Sequence, residues 1–163
     1  MTLSMESFIE DMLKNYSTET KPKATPATAK LFDLGAGEEL DDRARKDFHS
    51  NVMRLMYLSQ RLRPDIALAV IFLCTRVKCP TTEDKKKLDR VMGYLRETKS
   101  MKMTMNCKGE MKIIAYIDAA LGTHHDGKSH TGCAIYLGSA CIWTLTMGIQ
   151  PRSRECLHNS SAW

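Results

Sequence analysis

The sequence predicts an α+β fold, with a helical N-terminal half followed by a small antiparallel sheet. Apolar residues recur at the three-and-four spacing of a helix face until about residue 99, and beyond it they alternate with polar ones. Pro64 and Pro80 stand where helices stop or restart, and turn-forming residues at 107–109 and 138–139 separate the alternating runs. The 163 residues, 43% hydrophobic and 26% charged, suffice for one modest core or two small subdomains and are not a disordered composition.

Ser4 is placed to cap a helix over 5–16, whose apolar face is Phe8, Ile9, Met12, Leu13 and Tyr16. Residues 17–40, with two prolines, many threonines and two glycines, read as an extended connection anchored by Phe32 and Leu34. Asp41 or Asp42 caps a longer helix carrying Phe48, Val52, Leu55, Met56 and Leu62, which should stop before Pro64. Pro64 suits the first turn of the next helix, Asp65 is favoured near its N-terminus, and Ile66–Leu73 is apolar nearly all round, as a buried helix would be. Thr81 or Thr82 caps a fourth helix with Leu88, Val91, Met92 and Leu95 facing inward, Gly93 being its weak point. In the second half, 101–106 and 111–118 should form a hairpin around Cys107, Lys108 and Gly109, with Met101, Met103 and Met105 packing in the core. A second pair, 131–137 and 141–146, joins through Gly138 and Ser139. The chain divides into 1–40, 41–100 and 101–163.

The net charge of +5 is unevenly spread. Residues 76–108 hold ten Lys or Arg against four acids, whereas residues 1–40 hold four against seven. A basic segment of this kind can contact phosphates through charge, with salt-sensitive and sequence-blind affinity. The six cysteines include no C-x-x-C pair and sit mainly on apolar stretches, against a disulfide framework. The longest apolar run, Ile66–Cys74, is too short to cross a bilayer, so no membrane partner is expected. The first residues carry acids where a leader would carry bases, which points to the cytoplasm or nucleus.

Several stretches together resemble the Pol polyprotein of copia-type retrotransposons, in the part after the reverse-transcriptase palm. "LMYLSQRLRPDIALAV" is similar to that family's signature ending in Arg-Pro-Asp-Ile, and "LDRVMGYLRETK" to its basic helix with a "YL-x-x-TK" ending, Glu97 standing where glycine is usual. "AYIDAALGTHHDGKSHTGCAIYLG" is similar to the opening of its ribonuclease H domain. "FIEDMLKNY" and "ATPAT" have counterparts in the preceding thumb. The matches run in order over 5–143. The resemblance implies a thumb-like helix and linker over 1–40, a thumb or connection region over 41–100, and an incomplete ribonuclease H-like fold over 101–163.

It also implies chemistry. Ribonuclease H catalysis uses about four carboxylates holding two Mg2+ ions roughly 4 Å apart. Asp118, at the expected end of its strand, matches the first of them; Glu155 falls early for the family's spacing of the second. One aspartate cannot close two coordination spheres, so the chain by itself is expected to be inactive and not to hold Mg2+ stably. The adjacent pair Asp41-Asp42 heads a polar helix and reads as a cap rather than a polymerase carboxylate pair, which places the palm upstream. Asp126 belongs to a turn, beside Lys128. His124, His125, His130 and Cys133 are of zinc-ligating type but lack finger spacing, and a polar hairpin turn is the favoured reading. Nucleophilic catalysis by Cys156 with His158 has no recognisable framework around it.

Lys85–Lys87 point in different directions on a helix and by themselves read as a solvated face; the resemblance implies that Lys85, Lys86, Arg90 and Arg96 reach the phosphates of an RNA-DNA hybrid or a DNA or RNA duplex. The expected function is therefore that of a retrotransposon reverse transcriptase and ribonuclease H fragment with nucleic-acid binding. The alternatives are a metal-dependent nuclease completed by Glu155 or a partner chain, and a domesticated protein-binding module.

Overall fold

The computed structural model describes residues 1–105, 112–120, 129–138 and 140–149. Helix α1 (Glu6–Lys14) buries Ile9 and Met12, one turn apart on one face. It starts where the Glu6 N–H meets Ser4 Oγ at 3.3 Å, and ends when Asn15 turns its side-chain amide back onto the Asp11 carbonyl. Helix α2 (Asp42–Arg61) is capped by Asp41, whose carboxylate accepts from the Ala44 N–H at 2.7 Å, and it buries Phe48, Val52, Leu55 and Leu58. A single 3-10 turn, Pro64–Ile66, leads into α3 (Ala67–Arg76). The buried face of α3 holds Ala69, Val70, Phe72 and Leu73, while Leu68 lies on the open side.

Helix α4 (Thr82–Glu97) begins with a capping box. Thr81 Oγ1 accepts from the Asp84 N–H, and the Asp84 carboxylate accepts from the Thr81 N–H. Asp84 is buried, and Arg76 donates to it at 3.1 Å, tying the end of α3 to the start of α4. One apolar core joins all four helices: Ile9 and Met12 of α1 meet Phe48, Val52 and Leu55 of α2, Val70 and Leu73 of α3, and Leu88, Val91 and Leu95 of α4.

The connection over 17–40 lies along α4. The Lys23 N–H donates to the Gly93 carbonyl, the Thr82 N–H to the Glu38 carbonyl, and the Leu40 N–H to the Pro80 carbonyl. Gly93 makes this approach possible: a Cβ there would lie 2.3 Å from the Lys21 carbonyl oxygen. The weak point of the helix is thus the place where another backbone crosses it. Leu31 is buried and Phe32 meets Phe72 edge to face at 5.8 Å, whereas the expected anchor Leu34 is exposed. Spacing within an irregular segment does not say which side of it faces the core.

Among the described residues, two small antiparallel sheets accompany the helices. In the first, β1 (Thr2–Leu3) pairs with β2 (Met103–Thr104). The expected hairpin of 101–106 with 111–118 is therefore corrected: β2 pairs with the N-terminus, and β3 (Ile113–Ala120) pairs with β4 (Ser129–Leu137). An alternating pattern marks a segment as extended without naming its partner, and the chain leaving α4 runs back beside Met1, whose ammonium donates to the Met105 carbonyl. Of the three methionines, Met103 and Met105 are half-buried and Met101 is exposed. The second sheet has the order β3-β4-β5, with β5 at Ala140–Ile149. Gly138, at φ 60°, turns β4 into β5 as expected, and the register shifts by one residue near Ile135 and Tyr136.

This sheet meets the helices through β5 against α3. Strand β3, on the far edge, is exposed along its whole length, including Ile113 and Ile117. Among the described residues no helix is long and apolar enough to cross a membrane.

Substituting Gly93→Ala should destabilise the protein by ~1–3 kcal/mol, because the Lys21 carbonyl must give way. At an unobstructed helix position the same change would stabilise by roughly 0.5–1 kcal/mol, so urea denaturation reads the sign directly.

Candidate functional site

The sequence offers Asp118 with Glu155, and the cations Lys85, Lys86, Arg90 and Arg96, as candidate site residues; the structure adds a cluster it does not announce. The first two motif stretches, far apart in sequence, meet in a buried cluster. Arg63 is 1% exposed. Its Nε and one terminal nitrogen fork onto Asp65 at 3.0 and 2.8 Å, while its terminal nitrogens donate to the Thr98 carbonyl and hydroxyl at 3.0 and 2.7 Å. The guanidinium carbon lies 5.5 Å from the centre of the Tyr94 ring, and the Tyr94 hydroxyl donates to Asp65 at 2.8 Å. This is the bidentate geometry that a planar guanidinium offers and an ammonium does not.

Burial tends to push the Asp65 carboxyl up, but Arg63 and Tyr94 outweigh it and hold the group below its ordinary 3.8. Burial, and then the neighbouring Asp65, push the Tyr94 hydroxyl up. In the sequence Asp65 reads as a favourable helix start, and nothing near it announces Tyr94 as its partner or Thr98 as that of Arg63. The signal lay in the two motifs occurring together.

The basic residues of α4 divide by environment. Lys85 spends its three ammonium donors on Asp89 (2.7 Å), the Tyr16 hydroxyl (2.6 Å) and Thr18 (2.9 Å), above the Tyr16 ring. It fastens the end of α1 to α4. Burial, and the hydrogen bond to Asp89 after it, push the Tyr16 hydroxyl far up. Lys86 is 70% exposed and paired with Glu83, an ion pair open to exchange. Arg90 is half-buried, with one terminal nitrogen on Thr25 Oγ1 at 2.9 Å, and Arg96 is exposed in the last turn. Lys86 and Arg90 therefore share the face along which 17–40 runs, while Lys85 is turned inward.

Asp118 lies two residues inside the end of β3, opposite Gly132 of β4, rather than at the strand's end. Its carboxylate is exposed and accepts from the Ala119 N–H at 2.9 Å. It borders a shallow hollow of about 550 Å3 with Pro64, Ala67, Gly132, Cys133 and Thr144, and it is the one carboxylate among the described residues there. A two-magnesium set does not fit these residues: one monodentate or bidentate carboxylate supplies too few oxygens for either ion. Glu155, Asp126, Lys128, Cys156 and His158 lie outside the described residues, as do His124 and His125. Cys133 is half-buried and pairs with Ile117 and Leu145, and among the described residues no three His, Cys, Asp or Glu converge.

These features define an α+β chain whose helical core is locked by an Arg-Asp-Tyr-Thr cluster and carries an overhanging three-stranded sheet. Over 142 residues, 86% of its length, the chain is 31% identical to a mitochondrial protein of Arabidopsis thaliana, AtMg00810. It is 28% identical over 99 residues to a transposon Ty5-1 protein of Saccharomyces cerevisiae, and 31% identical over 94 residues to secreted RxLR effector protein 161 of Plasmopara viticola. The chain spans 58% of the Arabidopsis protein and 32% of the yeast one. Of these relatives, the yeast protein is the one named for a transposon. No family model matches the chain, and no solved structure matches it significantly.

Asp65→Ala should cost ~3 kcal/mol in chemical denaturation, since it strands a buried guanidinium. Asp65 has a folded pKa below its unfolded one, so its stabilising contribution is present above the unfolded value and is lost as pH falls through the folded one. Melting followed from about pH 5 to pH 2 should show this acid loss in the natural protein and a smaller one in Asp65→Asn.

Proposed function

We propose that the chain is part of a copia-type Pol polyprotein, comprising its thumb or connection region and the beginning of its ribonuclease H domain. In this reading it grips a nucleic-acid duplex by its phosphates and does not turn over substrate alone. The supporting observation is the Arg63 cluster. The two stretches that carry the resemblance, Arg63–Ile66 and Tyr94–Thr98, are joined there by three hydrogen bonds that neither stretch could make without the other. The likeness to the yeast transposon protein agrees with it.

Lys86, Arg90 and Arg96 supply the phosphate contacts of this reading, with Lys85 positioning α4 from within. A palm domain preceding this region holds the polymerase carboxylates. Asp118 is the remnant of a metal-binding carboxylate, and Mg2+ chemistry returns only if Glu155 or a partner chain completes the set.

A labelled RNA-DNA hybrid tests the reading. Binding should weaken with salt, and replacing Lys86, Arg90 and Arg96 by alanine should weaken it similarly for every sequence and reduce the salt slope by about three. Unchanged affinity removes the phosphate-contact proposal. Magnesium-dependent cleavage that disappears in Asp118→Asn would favour the nuclease instead.

A further inference from the structure

Strand β3 ends its sheet. One side pairs with β4 from Ile113 to Ala120, and among the described residues no strand lies on the other. Edges of this kind are usually blunted by a bulge, a proline or a charge pointing inward. Strand β3 contains no proline, the register shift of this sheet lies at Ile135 and Tyr136 between β4 and β5, and Ile113 and Ile117 stand 75% and 73% exposed. The helices meet the sheet through β5, away from this edge.

One hydrogen bond fixes which backbone groups face outward. The Gly138 N–H donates to the Lys112 carbonyl at 2.8 Å, so Lys112 turns its backbone groups towards β4. These groups alternate in an antiparallel ladder. Ile114, Tyr116 and Asp118 therefore turn theirs towards β4 as well, while Ile113, Ala115, Ile117 and Ala119 turn theirs to the open edge. Asp118 agrees with this: its carboxylate accepts from the Ala119 N–H at 2.9 Å, and so lies at that edge.

The stretch "KIIAYID", Lys112–Asp118, is complementary to itself when reversed about Ala115. Ile113 then faces Ile117, Ile114 faces Tyr116, and Lys112 faces Asp118. A ladder forms only where outward residues oppose outward residues, and this register meets that condition, with Ile113 on Ile117 and Ala115 on its own copy. Lys112 and Asp118, both exposed, meet at both ends. They fall in the non-hydrogen-bonded positions, where Cα atoms come within about 4.5 Å and side chains approach closest. Centring the pair on Tyr116 would keep a ladder but set Lys112 against Ala120 and Asp118 against Ile114.

We propose that a second copy of this chain docks on β3, strand against antiparallel strand, about a two-fold axis at Ala115. The two three-stranded sheets become one continuous sheet. About six backbone hydrogen bonds and the paired Lys112–Asp118 contacts close the interface. Each copy uses up the other's edge, so association stops at the dimer. None of this depends on whether the chain also binds nucleic acid.

Sedimentation velocity of the full chain without nucleic acid, across about 1–100 μM, tests this, and a concentration-dependent monomer-dimer equilibrium is expected. Ala115→Pro should abolish the dimer and leave the circular dichroism of the monomer unchanged, because the N–H that it removes faces the open edge. Lys112→Glu and Asp118→Lys should each weaken dimerisation about tenfold or more, by setting like charges opposite one another at both ends. Mixed in equal amounts, the two variants should dimerise with each other, since each substituted side chain then meets an opposite charge. Restoration in the mixture fixes the register and cannot come from a variant that has failed to fold. A monomer at every concentration, association that continues past the dimer, a dimer indifferent to Ala115→Pro, or no association in the mixture overturns the proposal.

Discussion

The helical half closes around one buried positive charge. A guanidinium removed from water loses several kcal/mol of solvation and must recover it from partners in fixed directions. Arg63 finds them in Asp65, two residues on, and in Thr98, at the far end of α4. That requirement fixes where the Pro64 turn sits against the end of α4, and α3 starts immediately from that turn. Strand β5 then rests on α3, so the placement of the sheet is inherited from the same contact. Lysine at 63 could not do this, since its point charge has no fork to match a carboxylate and a carbonyl at once.

A second set of contacts holds the irregular segment. Lys85, Tyr16, Thr18 and Asp89 clamp its beginning, and backbone hydrogen bonds to Pro80, Thr82 and Gly93 clamp the rest. The consequence for charge runs against the linear count. The basic excess belongs to 76–108, yet Lys85 is consumed internally and Lys87 is pinned. The first forty residues are net acidic, yet they bring Lys21, Lys23 and Lys30 alongside α4. Local charge density in a sequence records composition, and folding redistributes it.

The sheet is the less covered part. Its β5 edge has α3 beneath it, whereas β3 shows Ile113, Tyr116 and Ile117 to solvent. Asp118 stands on that open strand, with Gly132 across from it. A single exposed carboxylate, held by the neighbouring Ala119 N–H, offers a divalent ion too few oxygens by itself.

The helices were legible because each had its own local cause: Asp41 and Thr81 as caps, Pro64 as a first-turn residue, and apolar faces at helical spacing. The Gly138 turn was legible for the same reason. The partner of β2, the inward side of Leu31 and the use of Gly93 were not, since each depends on a backbone that arrives from elsewhere. For the candidate site, the sequence pointed to Asp118 and the α4 cations but could not sort inward from outward lysines. What the sequence by itself determined was the series of elements and their apolar faces, which follow from interactions within about four residues. Only the tertiary structure decided that Arg63 meets Thr98 and that Lys23 crosses Gly93, because such contacts are chosen by the shape of the whole core and by the cost of leaving a buried charge or backbone group unpaired.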